Sequence, residues 1–450
     1  MKNKARGSLS CLSVFLLLGF FQTLAHADLD AGPHLENITD HSVQLLYEGD
    51  SSDGNGEVEY GPTPDYGLST TATKRPLMDE WYLANLTGLA PASQCYYRLT
   101  HEGELKEGWF FTPPTPGDPF TFAVIGDTQS GGAQHQAIID AVLDNGYPDL
   151  LFHPGDKVSD GSDKDQWQDF FAKEDELLRH TILGPAQGNH DQGLFGNYFA
   201  PGETYTFWHG FPYGNAYFIL LNTEQPTAGA QKDFLLNQLI QARSNPDIDF
   251  VFVFFHQPGV TTSTGHDPNP WVLLDFLDLF EAYNVDAVFN GHNHVYEHGI
   301  VNGVHHIVSG AASSSLYDLI EPYTPQGWTI VYRESVYHYC YVTVSGDSYT
   351  FQARYQDGTT FDSYTATTGE GGVQGPTPQD LLDRALDCGG CDSRHMGSVQ
   401  DVDASTGSTA TGTKPGFTIH LLLNSCLYGF PALFIVGVRR RLRRRRSRQS

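Results

Sequence analysis

Polar residues that can bind metal ions stand at the ends of most apolar runs in this chain. The runs and the residues that close them are TFAVIGD with Asp127, DLLFHPGD with Asp156, FVFVFFH with His256, and DAVFNGHNH with His292 and His294. Between these runs, the segment QGNHD adds Asn189 and His190. Carboxylates, amides and imidazoles are ligands for divalent or trivalent first-row metals. Each short motif is common by itself, but the ordered set predicts a metal site.

The set contains more candidate ligands than one metal ion needs. It suffices for two ions about 4 Å apart that share one bridging carboxylate. The sequence therefore predicts a centre for two metal ions.

The elements that must position these ligands alternate along the chain. From Phe120 onwards, strand-like apolar runs alternate with helical segments such as DQWQDFFAKEDELL and WVLLDFLDLFEAY, whose apolar residues share one face. This alternation predicts an α/β domain. In an open α/β sheet the carboxyl ends of the strands line the ligand crevice, and the candidate ligands fall at those ends.

The segments on either side of this domain have other patterns. Residues 30–114 consist of short alternating runs such as SVQLLYEG, separated by Gly, Pro and Asp, which predict an all-β domain. The proline-rich segment PPTPGDP is the linker to the α/β domain. After β-like runs at 305–366, residues 367–416 are rich in Gly, Ser, Thr and Asp and predict a flexible stalk.

The ordered set "GD…GD…GNHD…VFFH…GHNH" resembles the calcineurin-like metallophosphoesterases, and within them the purple acid phosphatases. The segments EVEYG, LTGLAPASQCYYRLT and GWFFTPP in residues 30–114 resemble the N-terminal fibronectin-III-like domain of those phosphatases. The resemblance covers about residues 30–365. It implies a catalytic domain at 120–366 that is an αββα sandwich of two mixed sheets, in place of a doubly wound sheet.

The resemblance also implies a role for each candidate residue. The ligands of the first metal are Asp127 and His294, the bridging ligand is Asp156, and the ligands of the second metal are Asn189, His256 and His292. His190 is expected to face the substrate and either protonate the leaving oxygen or hold a phosphate oxygen, with Asp191 orienting it. The implied reaction is hydrolysis of a small phosphomonoester by attack of a metal-activated hydroxide on phosphorus.

Three positions depart from the family pattern. Ser159 stands where purple acid phosphatases have a tyrosine that binds ferric iron and gives the colour. Gln129 stands where other members have a histidine, and its side-chain oxygen is a candidate extra ligand. We therefore expect a colourless site that holds Fe(II), Mn(II) or Zn(II) rather than ferric iron. His298, where the family often has arginine, is a candidate for substrate contact.

Both ends of the chain carry apolar segments. Residues 1–27 have basic residues, an apolar core and the sequence AHA, and they predict a signal peptide that is cleaved after Ala27, with an uncleaved anchor as the alternative. Residues 417–438 contain no charged residue and predict a transmembrane segment, with a soluble helix as the alternative. The arginine-rich tail at 439–450 would then be cytoplasmic. This pattern predicts an exported protein held at the cell surface, unless the tail is a cleaved sorting signal.

The charge of the chain restricts its partners. The formal net charge of the chain is −27. Many of its basic residues lie in the two end segments, so the central part of the chain is more acidic than the chain as a whole. Such a surface repels phosphate backbones, so we expect no binding to nucleic acid.

Two alternatives to a phosphomonoesterase remain open at this stage. The same metals serve phosphodiesterases and nucleotide hydrolases, and the β domain with a stalk and an anchor also suits a non-catalytic adhesion protein. The sequence leaves the pairing of four cysteines open, namely Cys95, Cys340, Cys388 and Cys391. Of these, Cys388 and Cys391 in CGGC could close a small disulfide loop.

Overall fold

The computed structural model describes residues 29–50, 54–75, 78–199, 207–320 and 328–368, and the backbone of residues 420–424 and 433–437. The predicted signal peptide, nearly all of the stalk, the basic tail, Cys388 and Cys391 lie outside these residues. The predicted transmembrane segment lies largely outside them too. Its two described stretches pair as antiparallel strands, His420–Asn424 with Leu433–Gly437. No helix in the described ranges is long and apolar enough to cross a bilayer.

The first seven strands form a β-sandwich, as the alternating pattern predicts. They are β1 (Ala31–Glu36), β2 (Ser42–Glu48), β3 (Gly56–Gly61), β4 (Leu68–Arg75), β5 (Met78–Thr87), β6 (Gln94–His101) and β7 (Glu104–Phe111). In β6, buried residues such as Tyr97 and Leu99 alternate with more exposed ones because successive side chains point to opposite faces. The rings of Tyr47 and Tyr82 stack at 5.1 Å in the core. The fibronectin-III likeness of this sandwich stays a prediction.

Thirteen further strands build two mixed sheets. The first sheet contains β8 (Phe120–Val124), β9 (Leu150–His153), β10 (Ile182–Pro185), β18 (His338–Ser345), β19 (Ser348–Tyr355) and β20 (Thr360–Thr367). The second contains β11 (His209–Tyr213), β12 (Ala216–Leu220), β13 (Phe250–Phe254), β14 (Ala287–Asn290), β15 (Tyr296–Val301), β16 (Val304–Ser309) and β17 (Thr329–Glu334), in the order β11-β12-β13-β14-β16-β15-β17. The two sheets pack face to face, and the rings of Phe152 and Phe254 stack between them at 3.9 Å.

Helices cover the outer face of each sheet. They are α1 (Gly132–Asp144), α2 (Lys164–Leu178), α3 (Phe195–Tyr198), α4 (Ala230–Ser244), α5 (Pro270–Asp275) and α6 (Leu277–Ala282). The apolar faces of α1 and α2 pack on the first sheet, and those of α4 and α6 pack on the second. This layering confirms the predicted αββα sandwich.

The β-sandwich and the α/β domain share one hydrogen-bonded sheet. Strand β1 pairs in parallel with β10, with Leu35 opposite Ile182, so the first sheet continues without a break into the sandwich and has 13 strands. The Lys164 ammonium, at the start of α2, lies 3.0 Å from Glu48 and 2.8 Å from Glu80 of the sandwich. The sequence predicts a linker between separate domains and gives no sign of this shared sheet.

The segment WVLLDFLDLFEAY differs from the predicted single helix. It breaks at Phe276 into α5 and α6, and Trp271 and Leu274 are exposed while Leu279 and Phe280 are buried. The predicted apolar face therefore reaches the core only in its second half.

Candidate metal centre

The carboxyl ends of strands from both sheets bring the candidate ligands together. Asp127 follows β8 and Asp156 follows β9, and these strands are parallel neighbours. His256 follows β13 and His292 follows β14, which are parallel neighbours in the second sheet. Because both sets of strand ends open on the same side of the sandwich, residues far apart in sequence become neighbours.

The backbone at this site is held in an unusual conformation. Asp127, Asp156 and His292 have φ values of 57°, 55° and 70°, in the left-handed region that non-glycine residues seldom adopt. Such strain costs of order 1–3 kcal/mol per residue and concentrates at functional sites. It turns these three side chains toward a common centre.

Glycines next to the ligands allow this close approach. A Cβ atom on Gly188 would overlap the Asp156 carboxylate, and one on Gly291 would overlap the Asp127 carboxylate. A Cβ on Gly155 would overlap the His256 ring. The glycines of the GD, GN and GH pairs therefore leave room for ligands supplied by other strands.

One group of ligands surrounds Asp127. The Nε2 atom of His294 lies 3.6 Å from Asp127 Oδ1. The side-chain amide of Gln129 lies 3.3 Å from His294 Nε2 and 3.3 Å from Asp156 Oδ2. Gln129 therefore stands among the predicted ligands of the first metal with its amide nitrogen toward them, and a role as an extra ligand would require the amide to turn its oxygen inward.

A second group surrounds His256. Its Nε2 atom lies 3.2 Å from Asp156 Oδ2, 3.0 Å from Asn189 Oδ1 and 3.2 Å from His292 Nδ1. Asp156, His256 and His292 offer ligand atoms that all lie within 4.8 Å of one another. Asp156 Oδ2 thus contacts Gln129 in the first group and His256 in the second, and its bridging role stays a prediction.

Hydrogen bonds outside the cluster fix which ring atoms point inward. His256 Nδ1 donates to the carbonyl of Pro154 at 3.1 Å, and His294 Nδ1 donates to the carbonyl of Ser315 at 2.8 Å. Each bond leaves Nε2 as the atom that faces the other ligands. The backbone N–H of His292 donates to both oxygens of Asp127 at 3.0 Å. Such second contacts orient metal ligands in proteins.

The electrostatics of the cluster call for a cation. Asp127 and Asp156 are almost fully buried. Burial by itself lowers the pKa of His256, but the carboxylates of Asp156, Asp127 and Glu224 together outweigh burial and raise that pKa to about 10. A proton on His256 thus supplies positive charge that a divalent ion would otherwise provide, and metal binding would release this proton. The donor set of carboxylate oxygens, imidazole nitrogens and an amide oxygen fits such an ion.

Asp191 does not orient His190, contrary to the prediction. Its carboxylate is fully buried and accepts the backbone N–H groups of Asp156 at 3.0 Å, Lys157 at 2.7 Å and Gly188 at 3.0 Å. The ammonium of Lys157 lies 3.4 Å from Asp191 and also donates to the carbonyl of Ala186 at 2.7 Å. Asp191 therefore holds the loop of Asp156 against the loop of Asn189.

His190 lies at the rim of the cluster with an exposed side chain. Its backbone N–H donates to Asp156 Oδ1 at 2.9 Å, and its ring Nδ1 donates to the carbonyl of Ser159 at 2.8 Å. The ring is thus oriented by Ser159 instead of Asp191, and Nε2 is the ring atom left for a substrate.

His298 does not reach the site, so the prediction of substrate contact is wrong. It is 1% exposed, and its Nδ1 lies 2.7 Å from Asp362 Oδ2 and its Nε2 2.8 Å from His305 Nδ1. The contact with Asp362 joins β15 of the second sheet to β20 of the first, and the contact with His305 joins β15 to β16 within the second sheet. His298 is a structural residue between the two sheets.

Two residues that the sequence motifs missed stand over the cluster. The ring of His266 stacks on His292 with a centroid distance of 4.0 Å, and the ring of Tyr317 stacks on His294 at 4.1 Å. The Tyr317 hydroxyl lies 3.3 Å from His266 Nε2. Both residues lie in loops, and their neighbours in the sequence carry no pattern that would have pointed to them.

Glu297 anchors the loop that carries His266. This buried carboxylate accepts the backbone N–H of Thr262 at 2.7 Å and the hydroxyl of Thr261 at 2.5 Å. Arg333 donates to the Thr262 hydroxyl at 2.9 Å. Glu297, the neighbour of His298 in the chain, therefore holds in place the loop whose His266 stacks on His292.

Comparisons with known proteins agree with this geometry. The family model described as calcineurin-like phosphoesterase matches residues 120–296. The solved purple acid phosphatase of yellow lupin seeds superposes with a TM-score of 0.65 at 20% identity, covering 78% of this chain and 75% of that one.

Curated relatives also match in sequence, and two of them are described below. An uncharacterized protein of Mycobacterium tuberculosis is 26% identical over 324 residues, which cover 59% of this chain and 61% of the relative. The Fe(3+)-Zn(2+) purple acid phosphatase 12 of Arabidopsis thaliana is 22% identical over 48% of this chain and 52% of the relative. The chain thus spans between about half and three fifths of the length of these relatives. These findings show that the chain carries a calcineurin-like phosphoesterase domain and that purple acid phosphatases are among its structural and sequence neighbours.

Proposed function

We propose that this protein is a metal-dependent phosphohydrolase that cleaves small phosphomonoesters with two metal ions. The observation that carries the proposal is the meeting of two ligand groups at Asp156. Asp127, Gln129 and His294 would hold one ion, Asn189, His256 and His292 would hold the other, and Asp156 would serve both. When bound, such ions supply positive charge to the phosphoryl oxygens and activate a water for attack.

The protein's own residues complete the site. Carbonyl groups fix the rings of His256 and His294, so these ligands need little rearrangement when they bind an ion. His266 and Tyr317 wall the centre on one side. His190 stands at the rim, where its protonated ring can donate from Nε2 to the oxygen of the departing alcohol.

Replacing His190 by asparagine should affect substrates according to their leaving groups. For glycerol 3-phosphate, whose alkoxide leaves poorly without a proton, we expect kcat to fall about 10²–10³-fold. For p-nitrophenyl phosphate, whose phenolate leaves readily, we expect a fall of less than about tenfold. Steady-state kinetics on both substrates measures this difference, and an equal loss on both would show that His190 is no general acid.

The proposed reaction is tested with the purified full chain loaded with Mn(II), Zn(II) or Fe(II). We expect turnover of p-nitrophenyl phosphate that is faster than turnover of bis(p-nitrophenyl) phosphate. A preference for the diester would assign the site to phosphodiester hydrolysis. No turnover of either ester with any of the three metals would contradict the proposal.

We also propose that the protein is exported. The support is the order of basic residues, apolar core and AHA in residues 1–27. Mass spectrometry of the protein isolated from its own cells should find Asp28 as the first residue. Recovery of peptides that begin at Met1 in the mature protein would contradict export by this signal.

A further inference from the structure

The loop after β13 and the loop after β16 meet over the ligand cluster. A backbone bridge pairs Ser263 of the first loop with Leu319 of the second. The backbone N–H of Tyr317 donates to the carbonyl of His294 at 3.1 Å. The loop that carries Tyr317 is therefore tied both to the neighbouring loop and to a candidate metal ligand.

The ring of Tyr317 has a position that packing defines. It stacks on the ring of His294 with 4.1 Å between the centroids and 15° between the planes. Gly265 of the neighbouring loop makes room for it, because a Cβ atom at that glycine would overlap the tyrosine ring. The phenol is thus held against a member of the first ligand group.

The hydroxyl of Tyr317 lies between the two ligand groups. It is 3.3 Å from Nε2 of His266, whose ring stacks at 4.0 Å on His292 of the second group. Burial raises the pKa of this hydroxyl, and the negative charges of Asp127 and Asp156 raise it further. Neighbouring charges shift a pKa only over short distances, so the phenol oxygen lies near both carboxylates.

The hydroxyl also stands on the open side of the site. His266 is exposed and Tyr317 is half-buried, so solvent reaches the contact between them. Burial lowers the pKa of His266, and positive charge on His256 and His190 lowers it further. His190 at the rim and the pair of His266 and Tyr317 therefore border the same opening.

We propose that the Tyr317 hydroxyl donates a hydrogen bond to a phosphoryl oxygen of the substrate and that His266 orients it. The inference rests on the proposed phosphohydrolase function and adds a residue that contacts the substrate. A phenol is neutral near pH 7, so it can donate to an anionic phosphoryl group. The Nε2–H group of His266 can donate to the phenol oxygen, which leaves the phenol proton for the substrate.

The variant Tyr317→Phe tests this role because phenylalanine can keep the stacking on His294 and lacks only the hydroxyl. In the metal-loaded full chain we expect kcat/KM to fall about 10–100-fold, the loss expected for one hydrogen bond to a charged group. The fall should be the same for p-nitrophenyl phosphate and glycerol 3-phosphate, because both esters present the same phosphoryl group. Calorimetry should find that inorganic phosphate binds about tenfold more weakly. The metal content should equal that of the wild type.

The matched control is Tyr147→Phe, which makes the same chemical change away from the site. Tyr147 precedes β9, at the opposite end of this strand from Asp156, and its hydroxyl donates to Glu176 at 2.6 Å. The control should have the kinetics and the phosphate affinity of the wild type.

Wild-type kcat/KM and phosphate affinity in Tyr317→Phe would overturn the inference and leave the proposed function intact. A loss confined to glycerol 3-phosphate would overturn it too, because the hydroxyl would then act on the leaving group. So would a fall in metal content, because the hydroxyl would then serve the ions. If the wild type turned over no ester, the proposed function would fail, and the phosphate affinities of the two proteins would still decide the inference.

Discussion

Replacing Asp156 by asparagine is expected to lower kcat for p-nitrophenyl phosphate by at least about 10³-fold, an increase of about 4 kcal/mol in the activation barrier. Asp156 Oδ2 lies 3.2 Å from His256 and 3.3 Å from the Gln129 amide, so it belongs to both ligand groups. Asparagine keeps a carbonyl oxygen for the His190 backbone N–H that Asp156 Oδ1 accepts. It removes the negative charge that two adjacent cations would share.

The control for this variant is Asp233→Asn, the same change at an exposed position of α4. Its kcat should equal that of the wild type. Circular dichroism of both variants checks that each is folded. If folded Asp156→Asn keeps more than about a tenth of the wild-type kcat, Asp156 is no bridging ligand.

Replacing Asp191 by asparagine is expected to lower the free energy of unfolding by about 3–5 kcal/mol, because it leaves the buried Lys157 ammonium without its carboxylate. The carboxylate accepts four backbone N–H groups, those of Asp156, Lys157, Val158 and Gly188, in addition to this ion pair. One asparagine oxygen cannot accept all of them, and its amide N–H₂ would face some of the same donors. Urea unfolding followed by fluorescence measures the loss.

A double-mutant cycle separates the ion pair from the backbone contacts. Lys157→Met removes the ammonium and keeps a side chain of similar volume. In the double variant Lys157→Met, Asp191→Asn, the loss in free energy of unfolding should be smaller than the sum of the two single losses by at least about 1 kcal/mol. An Asp191→Asn variant that unfolds at the wild-type urea concentration but loses the general-acid step would instead support the orienting role that the family resemblance implies.

The grouping of the candidate ligands in space could be predicted because it depends on local pattern. Each apolar run is a strand, and the polar residue after it lies at the carboxyl end of a parallel strand in one of the two sheets, whose carboxyl ends open on the same side of the sandwich. The family resemblance then assigned the residues to two ions, and the distances around Asp156 agree with that division. The contact of Gln129 with both Asp156 and His294 also matches the position that the sequence marks as a departure.

The misplaced residues depend on partners that lie far along the chain. His298 forms a hydrogen bond with Asp362, 64 residues later in the chain. The local alternation of β15 does not show whether the side chain of His298 points toward the other sheet or toward the active site. Asp191 follows His190 directly, which suggests a shared task, yet its carboxylate turns toward Lys157. The pairing of β1 with β10 joins Leu35 to Ile182, and no local feature of either strand predicts it. His266 and Tyr317 belong to loops whose approach is fixed by Glu297 and Arg333.

The central claim is that the cluster around Asp156 binds metal ions, and metal analysis of the purified full chain tests it most directly. After expression in metal-supplemented medium and dialysis, mass spectrometry of the elements should find about two equivalents of Fe, Mn and Zn in total per chain. The Asp156→Asn variant, treated in the same way, should hold less than half of that amount. Wild-type protein that carries no more of these metals than the variant would contradict the account.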